Sequence, residues 1–107
     1  MTKQEQGFKR LQDYENALAH TRAFVESVVI QHVGAAFYLQ EDDGPTFNVI
    51  VFVDIPLSDR DQLIAEIVSH GGTFVDEYCI HDQTQLYIRR YQMDTFTVKV
   101  MVAKNVA

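Results

Sequence analysis

The sequence predicts a single α+β domain, residues 1–107, in the order α-ββ-α-βββ, with helices packed on one face of a mostly antiparallel sheet. Three observations predict it. The chain has 107 residues, the size of one small domain. Apolar residues recur at helical spacing in two separate stretches. Five further runs are rich in β-branched and aromatic residues and are bounded by polar, Gly- or Pro-containing turns.

The first third reads as one long helix. Phe8, Leu11, Tyr14, Leu18, Val25 and Val29 recur three, four and seven apart and so share a stripe, while Lys9, Arg10, Asp13, Asn16 and Arg22 fall mostly off it. Gly34 offers a stop beyond His32 and Val33. From Gln6 to His32 the helix would span roughly 40 Å at 1.5 Å per residue. A compact domain of this length is only about 26 Å across, from a radius of gyration near 13 Å. Either the helix breaks, most readily at the β-branched run Val28-Val29-Ile30, or its end packs on something outside its own chain.

A hairpin follows: Ala35 to Glu41, a turn at Asp42-Asp43-Gly44-Pro45, then Phe47 to Asp54. The second of these strands is apolar on both faces except at Asn48, which suggests a central strand covered on both sides, at least in part. The second helix opens after Pro56-Leu57, with Ser58 as the expected N-cap and Asp59 and Asp61 in the first turn, where the helix dipole favours anions. Ile64, Ile67 and Val68 form its expected buried stripe, His70 lies in its last turn, and Gly71-Gly72 ends it.

Three strands close the chain: Thr73 to Ile80, Thr84 to Tyr91 and Thr95 to Ala103, with turns at His81-Asp82-Gln83 and Gln92-Met93-Asp94. In the last, Phe96, Val98, Val100 and Val102 alternate with Thr95, Thr97, Lys99 and Met101. In the one before, Leu86 and Ile88 are expected on the core face, with Arg90 reaching its rim, and Tyr87, Arg89 and Tyr91 outside.

Charge is segregated. Between Glu26 and Asp82 stand eleven acidic residues and one base, Arg60, whereas the last nineteen residues hold Arg89, Arg90, Lys99 and Lys104 against Asp94 alone. The net charge is −6 and the pI near 5.0, which argues against general nucleic-acid binding, since phosphate contacts need a cationic face. Asp59 and Asp61 serve a helix start, and Asp42 and Asp43 a turn. Glu26, Asp54, Glu66, Asp76 and Glu77 have no such explanation and must face water or find a base.

A lone cysteine, Cys79, excludes an internal disulfide. The polar opening Met1-Thr2-Lys3-Gln4-Glu5-Gln6 lacks the apolar core of a secretory leader, and no apolar run is long enough to span a bilayer, so a reducing, cytoplasmic location is expected, with no membrane partner. No phosphate-binding glycine loop, nucleophile elbow, paired-cysteine knuckle or zinc-protease helix occurs, and no cofactor is expected.

Three groupings could carry chemistry. Cys79, His81 and Asp82, with His70 upstream, are the metal or thiol candidates, because positions 79 and 81 of a strand share a face. The plainer alternative makes Cys79 a small buried hydrophobe and His81 the start of a solvated turn. Glu41-Asp42-Asp43 could hold a hard cation but lacks the spaced oxygens of a dedicated loop. Tyr87, Arg89 and Tyr91, with Thr97 and Lys99 on the next strand, would form an outward patch suited to an anionic group or a subunit contact. Its alternative is a sheet face whose charges pair across strands, for instance Arg89 with Glu77.

These features favour a small non-enzymatic binding or regulatory module that self-associates as a homodimer, with a Tyr/Arg face for a small anionic ligand or a protein partner. The competing expectations are a small metal-dependent or thiol enzyme using Cys79, His81 and His70, and an acidic protein-directed inhibitor that occupies a cationic site on its target.

Overall fold

Alternating valines build the centre of this fold. The computed structural model describes residues 2–42, 48–80 and 86–103, and the side chains of 2–41, 49–79 and 87–101. Five strands form one sheet: β1 (Ala36–Asp42), β2 (Asn48–Asp54), β3 (Thr73–Ile80), β4 (Leu86–Gln92) and β5 (Phe96–Ala103). Their order is β1-β2-β5-β4-β3, antiparallel throughout except for the parallel pair β2 and β5. Helices α1 (Lys3–Phe24) and α2 (Arg60–Ser69) pack on one face. No helix among the described residues is long and apolar enough to cross a membrane.

Period-two alternation sends Val49, Val51 and Val53 of β2, and Phe96, Val98 and Val100 of β5, toward the helices. All six are buried, and each aliphatic side chain contributes about 1.5–3 kcal/mol of transfer free energy on the usual scale. Phe24, Val25, Val28 and Val29 from the first helical segment and Leu63 and Ile67 from α2 complete the core. The covered middle strand is β5. β2 lies one place toward the β1 edge, with helices over one face only, while Phe52 is buried on the other face by its sheet neighbours.

The first helix differs from its expected form. It begins at Lys3, where Thr2 Oγ1 accepts the Glu5 backbone N–H at 3.1 Å and caps the turn. It does not break at Val28-Val29-Ile30. Residues Val25–Val29 continue it as a π-helical stretch, closed by Ile30 N–H to Val25 C=O at 3.0 Å. Val25, Val28 and Val29, spaced i, i+3 and i+4, are all buried. Of the expected row, Val25 and Val29 are buried and Leu18 packs at the core's margin, but Ala17, Thr21, Phe24 and Val28 supply the rest of the buried stripe, and Phe8 and Leu11 are 71% and 51% exposed. Gly34 adopts no left-handed conformation. A Cβ there would lie 2.9 Å from Pro56 Cγ, so the glycine admits close chain passage.

Helix α2 also departs in detail. Ser58 is not its N-cap: a 3₁₀ turn over Leu57–Asp59 precedes it, and no side chain caps Asp59's end. Leu63 and Ile67 are its buried pair, with Ile64 at the margin, and Val68 is 53% exposed. Its end is as expected. Gly71, at φ 92°, donates to Val68 C=O and Gly72 to Ile67 C=O, both at 3.0 Å.

Most of the acids left unexplained by sequence find a base. Glu26 pairs with Arg22 at 2.9 Å, Glu66 with His32 at 2.8 Å, Glu77 with Arg60 at 3.2 Å, and Asp76 with Arg90.

Candidate functional site

The β4 alternation is as expected, but its two sides are exchanged. Register places Arg89 beside Val100 and Tyr91 beside Val98, so Tyr87, Arg89 and Tyr91 share the helix-covered face. Tyr91 is a core residue, 2% exposed. Ile88 and Arg90 point to the opposite, helix-free face, and so does Lys99. The proposed four-residue patch of Tyr87, Arg89, Tyr91 and Lys99 is therefore divided by the sheet. Strand alternation was legible; which side the helices cover depends on tertiary packing and was not.

On the helix-free face one register row crosses all five strands: Tyr38, Phe52, Lys99, Arg90 and Asp76. Tyr38 stacks on Phe52 with centroids 4.7 Å apart, and Lys99 Nζ lies 5.1 Å from the Phe52 ring. Arg90 holds Asp76 through two hydrogen bonds. The Arg90 bond holds the Asp76 carboxyl below its ordinary range, against the opposing effect of burial and with help from Lys99. This row is self-satisfied, and its cations are committed.

Arg89 is different. Its guanidinium lies 4.7 Å from the Phe74 ring centroid and 5.9 Å from that of Tyr91, whose rings are themselves 5.9 Å apart. Glu77 is its register partner on β3, but the Glu77 carboxylate accepts from Arg60 Nη2, which reaches down from the start of α2. Arg89 Nε is buried without a hydrogen-bond partner, and the guanidinium has no ion pair among the described residues. Two arginines thus meet one carboxylate on an aromatic floor, leaving a local excess of one positive charge in a chain of net charge −6. Burial pushes the Tyr91 phenol above its ordinary value, with Arg89 and Arg60 opposing.

Of the metal or thiol grouping, only His70 and Cys79 lie within the described residues, and they stand apart. His70 caps the end of α2, where its Nδ1 donates to Glu66 C=O at 2.8 Å, and its ring meets Phe24 edge-on. Cys79 stands six residues along β3 from Thr73, about 20 Å at the rise of a strand. His81 and Asp82 lie outside the described residues. Among the described residues no group of three or more His, Cys, Asp or Glu could hold a metal ion. Of the Glu41-Asp42-Asp43 grouping only the Glu41 side chain is described; it accepts from Tyr14 Oη at 2.8 Å and raises the Tyr14 pKa by that bond.

Sequence reasoning missed a second feature. His20, Ser27, His70 and Asp94 line a cleft of about 280 Å³ floored by Phe24 and Phe96. The His20 Nδ1 is engaged with Thr95 Oγ1 at 2.7 Å. Only the long-range packing of α1 on the β4–β5 turn brings the two imidazoles to one cleft. The cleft is open, and among the described residues neither imidazole is hydrogen-bonded to a carboxylate that would orient it as a base.

No protein-family model matches this chain, and neither a curated protein nor a solved structure matches it.

Proposed function

We propose that the chain is a small non-enzymatic binding module that self-associates in a reducing, cytoplasmic setting and takes an anionic group at Arg89. One observation carries the binding half: a guanidinium held on two aromatic rings, with a buried unpartnered Nε and its cross-strand carboxylate already engaged by Arg60. Packing on Phe74 and Tyr91 restrains the side chain before any ligand arrives, which lowers the ordering cost of binding. A carboxylate or phosphate group matches the planar donor set of an arginine better than that of a lysine. Lys99, on the far side of the sheet, plays no part in this seat. Self-association is supported by the apolar surface of α1 and β1, where Phe8, Leu11, Phe37, Tyr38 and Leu39 stand exposed.

The test is titration of the uniformly ¹⁵N-labelled chain with citrate at constant ionic strength, following the Arg89 Nε–H resonance. A saturable shift of that resonance and of the neighbouring β4 backbone amides is the expected result, the amide shifts being weakened by about 1–3 kcal/mol in Arg89→Ala and by less in Arg89→Lys. An Arg89 signal indifferent to citrate and to inorganic phosphate would remove the ligand half of the proposal.

A further inference from the structure

The course of α1 over the sheet ends in empty space. Phe24 packs on Phe96 with ring centroids 5.5 Å apart and His20 bonds Thr95, both at the start of β5. Ten residues earlier, Tyr14 bonds Glu41, near the end of β1. Phe96, Val49 and Glu41 form one register row, so α1 crosses from β5 over β2 to the β1 edge. Residues 3–13 then continue past that edge for about 16 Å at 1.5 Å per residue, every one of them exposed. The overhang carries Phe8 and Leu11, and the long axis of the molecule reaches 56 Å.

The edge beneath is less protected than its counterpart, its charges being confined to one end. Natural edge strands are blunted by lysines, prolines, bulges or inward charges. β3, the other edge, has a bulge between Phe74 and Asp76 and carries Asp76 and Glu77. β1 has no proline, no lysine and an unbroken register with β2; its two acids, Glu41 and Asp42, stand together at its end, and it exposes Phe37 and Leu39 on the helix side and Tyr38 on the other.

We infer that β1 pairs antiparallel with β1 of a second copy about a twofold axis normal to the sheet, and that each α1 overhang roofs the partner's Phe37. Resting on the self-association proposed above, this names the surface that performs it. A dyad normal to the sheet keeps both helix faces on the same side. Paired residues must then share a face, so their numbers sum to an even value. Full overlap of the seven-residue strand sums to 78 and meets that requirement. Leu39 then lies on the axis, and Glu41 faces the partner's Phe37. Glu41 and Asp42 oppose Phe37 and Ala36 of the second copy, so no like charges face each other.

The same register sets the helices. Each overhang leaves its sheet at Glu41 and enters above the partner's Phe37, next to the partner's Val53 and Asp54. The segment Lys3 to Leu11 carries a net charge of +2 (Lys3, Lys9 and Arg10 against Glu5) in a chain whose net charge is −6, so a second copy attracts it as a whole. The two helices cross the Glu41 and Phe37 rows, four residues or about 13 Å apart along the strands, beyond the 8–10 Å separation at which helices collide. Area gives the helix its purpose. A stable dimer buries about 800 Å² on each partner, whereas half-exposed Phe37 and Tyr38 offer roughly 200 Å² between them.

Sedimentation equilibrium of the wild type, Leu39→Lys and Phe8→Asp, with far-UV circular dichroism of each, tests this. The expected result is a wild-type dimer whose dissociation constant rises roughly tenfold or more in both variants, with unchanged spectra. If Leu39→Lys fails to fold, Phe8→Asp decides alone, because its side chain lies outside the core. In a Cys79→Ala background, Leu39→Cys should oxidise to a covalent dimer and Val33→Cys, fully exposed elsewhere, should not. A wild-type dimer that persists in both variants overturns the β1 interface and leaves self-association standing. A wild-type monomer at micromolar concentration overturns both.

Discussion

Arg90 grips Asp76 across the β3–β4 ladder, Nε to Oδ1 at 2.6 Å and Nη2 to Oδ2 at 2.5 Å. The pair sits on the helix-free face at an edge where an unpaired acid would be solvated, so its value lies in holding the edge strand in register.

The pH dependence follows from the sign of the shift. Asp76 titrates below its ordinary value of 3.8 in the folded chain. Its contribution is present above that value and is lost as pH falls through the lowered one. The wild-type unfolding midpoint should therefore drop more steeply than that of Asp76→Asn between about pH 5 and 2. Parallel declines in the two proteins would show that the pair has no energetic weight.

The buried stripe of α2 can be tested by contrast. Leu63→Ala, at a side chain with no solvent exposure, should cost about 2–5 kcal/mol in urea denaturation. Val68→Ala, at a half-exposed position, should stay within about 0.5 kcal/mol. Equal losses would return Val68 to the core.

Two tyrosines should ionise late in an ultraviolet titration, for different reasons. Tyr14 is raised first by its hydrogen bond to Glu41, and Tyr91 by burial. Glu41→Gln should bring Tyr14 back toward 10 and leave Tyr91 unmoved. Because a raised phenol contributes fully below its unfolded value, the Tyr91 contribution is lost as pH rises from about 10 through the raised folded value. A Tyr91→Phe variant that still shows both late transitions would contradict this assignment.

Cys79 is half-buried on an edge strand. Cys79→Ala should change stability by no more than about 1 kcal/mol and leave citrate binding intact. Stoichiometric zinc in the purified wild type, lost in the variant, would argue for a metal role instead.

The fold class and all five strands were legible because alternation at Phe96, Val98 and Val100, or at Val49, Val51 and Val53, has one physical meaning wherever it occurs. Local chemistry also gave the end of α2, since Gly71-Gly72 can close a helix in a way few dipeptides can. What failed was anything that depends on distant neighbours. Phe8 and Leu11 fit a helical stripe, but whether a sheet lies beneath them is decided by where α1 crosses β1. Tyr87, Arg89 and Tyr91 were correctly placed together, yet their side of the sheet is set by α2 and by Arg60. The π-helical stretch at Val25–Val29 has no composition that separates it from an ordinary helix rich in β-branched residues.

The position of β5 has a consequence for how the chain assembles. The strand latest in sequence order is the central one, flanked by β2 and β4. Until it is inserted, the β1–β2 and β3–β4 pairs have no ladder between them, and the buried side chains of β2 and β4 lack a common surface. During synthesis most of the chain must leave the ribosome before this keystone is available, so the two halves wait with apolar flanks uncovered. Such non-local closure slows folding and lengthens the interval in which the hairpins can pair with the wrong neighbour. Chaperone demand and expression yield should then respond most sharply to changes in Val98 and Val100, which close the sheet.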